Sequence, residues 1–220
     1  MDKKIISVIQ YYPDYLDILK EYETLQKQNT IFSSGIMLVL SIEKIIERNS
    51  SEMARHSKAI INLIDVVATD LNLTKKDTDK LKLLARFHDI GKICVAASIL
   101  TKEDTLTKEE WDIVKKHSYE SYLILNNVDE LKSIAYEALC HHENYDGSGY
   151  PNGLRGQEIP LFSRIIRVLD AYEVLTSGRV YQKAVSVSDA LIELNACKNK
   201  QFDPQIVDCV TRVFSEENNL

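Results

Sequence analysis

Apolar side chains return every three or four positions along most of this chain, and few residues interrupt the pattern. The stretch Ile31–Ile42 is apolar apart from serines and one glycine, then runs into Glu43, Lys44, Glu47 and Arg48. It is too short to span a bilayer and reads as the buried stripe of a helix. Leu81, Leu84 and Ala85 lead to His88 on one helical face, and Ile113 and Val114 lead likewise to His117 and Tyr122. Start signals fit the same reading. Ser50 or Ser51 precedes a helix expected over 52–71. Thr74-Lys75-Lys76-Asp77 opens the next, and Thr107-Lys108-Glu109-Glu110 is a capping box before Trp111. Further helices are expected near 130–141, 160–176, 187–197 and 204–215, so the fold class is all-α.

Composition narrows the field. The 220 residues are 45% hydrophobic and 27% charged, enough apolar material for a core and too much for a disordered chain. With only 7 Gly and 4 Pro, little breaks the helices. A net charge of −6 argues against long nucleic acids as partners, which need a basic face. A small anionic substrate stays open, because bound metal ions supply charge that composition does not show. The start Met1-Asp2-Lys3-Lys4 leads to no small-residue cleavage site, so a cytoplasmic protein without a membrane span is expected. Cys94, Cys140, Cys197 and Cys209 form no CxxC pair and read as reduced core thiols. Residues 1–49 differ in character and read as an accessory helical region ahead of a domain over 50–220. Their apolar stripe fits either pairing with a second copy, as a homodimer, or packing on the core.

The chemistry concentrates in few residue types. His56, His88, His117, His141 and His142 are all the histidines of the chain, and each lies at or near the end of an apolar helix. An ionisable side chain on an apolar face is costly unless paired or metal-bound, and five such positions suggest one purpose. Glu52 and His56, four apart on an expected helix, project toward the same point. Imidazole with carboxylate suits iron, manganese or zinc. The adjacent His88 and Asp89 would point in different directions on a helix, which suits a carboxylate bridging two ions better than one closed mononuclear site. The stretch 143–159, ENYDGSGYPNGLRGQEI, holds four of the glycines and reads as a functional loop between helices.

These residues carry a resemblance. HDIGK at 88–92, HHENYDGSGYP at 141–151 and QFDP at 201–204, in order with His56, His117 and Asp170, resemble the HD-GYP family of HD phosphohydrolases over roughly residues 50–215. The resemblance implies an HD-type helical bundle with a di- or trinuclear iron or manganese centre. It implies hydrolysis of the bacterial signalling molecule cyclic di-GMP, to pGpG and/or GMP, by a metal-bridging hydroxide. His56, His88, Asp89, His117, His141, His142 and Asp170 match its metal ligands, with Asp89 as bridge. Glu52 matches the glutamate of members with three ions. Lys92 matches a residue placed to act on the substrate phosphate, Tyr150 one that shapes the pocket, and Arg179 one that binds phosphate.

The substrate side departs from the family pattern. Gln182 stands where a basic residue is usual, Cys94 where glycine is, and Ala96-Ala97 where a Pro-Asp pair is common. Cyclic di-GMP is therefore the first expectation for substrate. Another cyclic dinucleotide or nucleotide cut by the same mechanism comes next, and a non-catalytic messenger-binding module last.

Overall fold

The computed structural model describes residues 15–28, 33–49, 51–102, 104–178 and 183–217, and the side chains of most of them. Among these there is no strand, only an isolated bridge between Lys198 and Phe202. The helices are α1 (Tyr15–Gln28), α2 (Ser34–Asn49), α3 (Ser51–Asp70), α4 (Lys75–Phe87), α5 (Ala97–Leu100), α6 (Lys108–Lys115), α7 (His117–Asn126), α8 (Lys132–Leu139), α9 (Leu161–Ser177), α10 (Val187–Ala196) and α11 (Pro204–Glu217). Two 3₁₀ turns, Ile90–Cys94 and Gly156–Glu158, complete them. None of the described helices is long and apolar enough to cross a membrane.

The chain divides into two compact units, one built from residues up to Arg55 with Phe87–Leu139, the other from His56–Arg86 with Cys140 onward. In the first unit the apolar stripe expected over Ile31–Ile42 is, from Ser34 on, the inner face of α2; Ile31 and Phe32 lie outside the described residues. Met37, Leu38, Val39, Ile42 and Ile45 are buried against α1 and the 3₁₀ turn at Ile90–Cys94. Burying each such side chain contributes roughly 1.5–3 kcal/mol. Val128 packs so closely on Gly35 that a Cβ there would sit 3.0 Å from a valine methyl. α7 rests on the same 3₁₀ turn and on α8, through Ile124, Leu125, Ile134 and Ala138.

α6 departs from expectation. Its capping box forms, with Thr107 Oγ1 accepting from the Glu110 amide and Glu110 accepting from the Thr107 amide. Yet it buries no side chain: Trp111 is 47% and Ile113 40% exposed. The helix ends at Lys115 and α7 starts afresh at His117, so the apolar periodicity of 113–122 spans two separate helices.

In the second unit α9 is the central element, with Ile165, Ile166, Val168 and Leu169 fully buried against α10 and α11. The QFDP segment ties these together. Asp203 Oδ1 accepts from the Gln205 amide at 2.8 Å and so caps α11, while its other oxygen pairs with Arg164 of α9. Arg164 also donates to the Ile159 carbonyl at 3.0 Å, which fixes the end of the long loop to the start of α9. α4 starts on Thr74 as expected, with the Asp77 amide donating to its hydroxyl at 3.2 Å. None of the four cysteines forms a disulfide, and burial pushes the Cys209 thiol up to about 12, so it stays an unreactive thiol.

Candidate functional site

His88 and Asp89 do not lie on a helix. α4 ends at Phe87, the pair forms a turn, and the chain tightens into the 3₁₀ turn through the Lys92 amide to the Asp89 carbonyl at 2.9 Å. The close approach of α7 decides this path. A Cβ on Gly91 would sit 2.1 Å from the His117 carbonyl oxygen, and the Gly91 amide donates to Ser121 Oγ at 2.9 Å. Only glycine lets the turn lie flush on the first turn of α7. His117, the first residue of that helix, is thereby brought to Asp89.

The Asp89 carboxylate is divided between neighbours. Its Oδ1 lies 3.2 Å from His117 Nε2, and its Oδ2 lies 3.4 Å from His88 Nε2 and 2.6 Å from Lys92 Nζ. Both imidazoles are buried. His117 Nδ1 stands 2.6 Å from the Val114 carbonyl, which can only accept, so Nδ1 carries the proton. Nε2 of a neutral ring then turns a lone pair toward a carboxylate oxygen. That contact requires a positive centre between them, either a second ring proton or a cation.

The second unit repeats the arrangement. His56, on α3, has Nδ1 2.5 Å from Glu173 Oε2 and Nε2 3.1 Å from Asp170 Oδ1. Asp170 and Glu173 are three apart on α9 and face the same way. A neutral imidazole has one proton for two carboxylates, so one of its nitrogens is left to act as a donor atom toward a cation. His141 and His142 follow Cys140, their rings 4.0 Å apart, and Tyr150 lies 4.9 Å from the His142 ring. Within each unit the donor atoms gather closely. Those of Asp89 with His117, of His141 with His142, and of His56 with Asp170 lie within 4.8 Å of each other. Imidazole nitrogens and carboxylate oxygens clustered in this way fit divalent cations.

The glycine-rich loop is held on the second unit. Glu143, 1% exposed, takes the amides of Asn152 at 2.7 Å and Leu154 at 3.1 Å on its two oxygens. The Tyr150 amide donates to the His142 carbonyl at 3.2 Å, and the Asp146 amide to the Lys200 carbonyl at 2.8 Å. Ser148 donates twice to Asp146 and holds its carboxyl below the usual carboxylate range. A Cβ on Gly149 would meet the Asn144 amide nitrogen at 2.2 Å, so that glycine lets the loop fold on itself.

Comparison with known proteins decides the family. A family model described as HD domain matches residues 41–206. The chain belongs to the HD domain family. Among its relatives, the cyclic di-GMP phosphodiesterase response regulator RpfG of Xanthomonas campestris pv. campestris is 34% identical over 80% of this chain and 50% of its own length. The 3'3'-cGAMP-specific phosphodiesterase 2 of Vibrio cholerae is 29% identical over 98% of this chain and 41% of its own. The chain thus spans about half the length of the curated relatives it matches. The solved structure of Bd1817, an HDG"Y"P protein from Bdellovibrio bacteriovorus, superposes with a TM-score of 0.63 at 17% identity, covering 90% of this chain and 68% of that one. That similarity supports the all-helical HD domain fold.

Within the HD domain, the structure describes most of the site residues expected from sequence. Glu52 has its side chain outside the described residues, and Arg179 and Gln182 lie outside them altogether. Two residues escaped the sequence reading. Glu173 was legible as an acid three places after Asp170 on a helix, the spacing that puts two carboxylates on one face. Glu143 carried no local signal, because its partners are amides nine and eleven residues away.

Proposed function

We propose that the chain is a metal-dependent phosphodiesterase that hydrolyses cyclic di-GMP to pGpG and/or GMP. The observation that supports it most is the Asp89 carboxylate with one oxygen toward each of two buried imidazoles, the pattern of a bridging ligand. His88, Asp89, His117, His141, His142 and Asp170 would hold two ions, and His56 with Glu52 a third, iron or manganese in each case. Divalent ions there supply positive charge to the phosphodiester oxygens and make a nucleophile available from water at neutral pH.

The chain's own residues do the rest. Val114 and Glu173 fix which ring nitrogen of His117 and His56 is the donor atom. Lys92, 2.6 Å from Asp89, restrains that carboxylate and offers a cation to a phosphate oxygen. Tyr150 presents its ring beside His142 as a wall for the nucleotide, and Arg179 is assigned a phosphate. Residues 50–220 carry this chemistry, with 1–49 as an accessory region and a surface for pairing with a second copy.

A second reading has its own support. The relatives named as specific for 3'3'-cGAMP include one aligned over 98% of this chain. Anaerobically purified protein supplied with iron or manganese is expected to carry at least two ions per chain by elemental analysis and to cleave cyclic di-GMP faster than 3'3'-cGAMP or cyclic di-AMP. Cleavage of 3'3'-cGAMP alone transfers the assignment to that substrate, and protein that binds no metal under these conditions overturns both. Replacing His88 and Asp89 together with alanine is expected to abolish turnover while leaving helical circular dichroism nearly unchanged.

A further inference from the structure

Arg167 lies on α9 one turn before Asp170, half-buried in the second unit. Its guanidinium has unusual company for a cation taken out of water. Nη2 donates to the Asn144 side-chain oxygen at 3.1 Å, and the plane lies 5.7 Å from the centre of the Phe202 ring. Nε is buried with no hydrogen-bond partner, and no carboxylate among the described residues pairs with the group. A neutral amide and a ring face recover little of the cost of desolvating a charge. Burial accordingly weakens its hold on the proton, opposed by the charge of Asp170. The guanidinium thus belongs to a residue three positions before Asp170 of the proposed metal site, on the same side of α9, and rests against Asn144 of the glycine-rich loop. What that setting lacks is an anion in hydrogen-bonding contact with the group.

We propose that Arg167 is a substrate-binding residue whose guanidinium takes a phosphate oxygen of the bound cyclic dinucleotide. This rests on the phosphodiesterase reading and adds to it a phosphate contact from α9. A planar fork of donors suits a phosphate, and a site kept unpaired in the free protein gains most when the anion arrives. Asn144 and Phe202 hold the group in place, so little side-chain freedom is lost on binding.

The test uses calorimetric binding of a hydrolysis-resistant phosphorothioate analogue of cyclic di-GMP to the metal-loaded protein, beside KM and kcat for bis(p-nitrophenyl) phosphate, a diester without bases. Arg167→Gln is expected to weaken binding of the analogue about ten- to a hundredfold and to raise KM for the simple diester, as loss of a charge-assisted hydrogen bond would. Arg167→Lys is expected to recover part of this. Asn144→Asp places a carboxylate within reach of the guanidinium; it should match or exceed the wild-type melting temperature yet bind the analogue more weakly, because the anion is already supplied. A purely structural arginine predicts the opposite, with Asn144→Asp harmless to binding and Arg167→Gln reducing melting temperature and metal content together. That result overturns the proposal. So does a loss confined to the guanine-bearing analogue with the simple diester unaffected, which would mark a base reader. Failure of the wild type to bind the analogue while it still turns over the simple diester removes cyclic di-GMP and leaves Arg167 to be judged on the simple diester.

Discussion

Glu173 shows how one side chain governs another. Its carboxylate on His56 Nδ1 leaves Nε2 as the donor atom facing Asp170, and without it the ring can turn or change tautomer. Glu173→Gln is expected to lower metal retention and turnover about ten- to a hundredfold, with the melting temperature of the metal-free protein nearly unchanged. Metal stoichiometry after gel filtration checks it, and full retention would remove Glu173 from the site. The Asp89 carboxylate is served differently: two imidazoles, His88 and His117, and the Lys92 ammonium lie against its oxygens. The histidines were legible in the sequence because each breaks an apolar face. Glu173 and Arg167 were not singled out, because a charged residue on a helix has many ordinary uses until its partners are known.

At the scale of elements, the contact between the 3₁₀ turn and α7 determines whether the His-Asp pair has a site at all. Gly91→Ala forces a methyl into the His117 carbonyl, so the turn must lift away and carry Asp89 with it. A destabilisation of about 1–3 kcal/mol is expected, the usual cost of overpacking, together with loss of metal. Ser121→Ala removes only the acceptor of the Gly91 amide and should cost about 1 kcal/mol. Urea titration of both variants gives the comparison; an equal cost would mean that the hydrogen bond rather than the close approach positions the turn. The helix starts at Thr74 and Thr107 were legible because a cap is local chemistry. The end of α4 before His88 was not. It is set by a residue thirty positions away, Ser121, and by the surface of α7.

For the molecule as a whole, acid should act through pairs that join distant segments. Arg212 of α11 lies on Asp70 at the end of α3 and holds its carboxyl below the ordinary value of 3.8. With the folded value depressed, the pair stabilises the protein fully above that ordinary value and loses its effect as pH falls through the depressed one. The pair is partly exposed, so its contribution is modest and screened by salt. Melting temperatures of the wild type and Asp70→Asn are expected to differ at pH 6 and to draw together as pH falls below the ordinary carboxylate value of 3.8. A constant gap across that range would show that Asp70 acts by something other than its charge.

The sequence by itself determined the all-helical class, the caps, the buried stripe of α2 and the ordered set of imidazoles and carboxylates that marks an HD domain. Each of these follows from residue type and a spacing of a few positions, which a helix converts directly into a shared face. Tertiary structure decided what neighbours those side chains have. It separated 113–122 into two helices and left Trp111 exposed, bent the chain at His88, and set a buried carboxylate behind His56. It also placed Arg167, its Nε buried without a hydrogen-bond partner, against Asn144 of the glycine-rich loop. These outcomes depend on which surfaces meet and on how buried charge is compensated, and no local spacing encodes either.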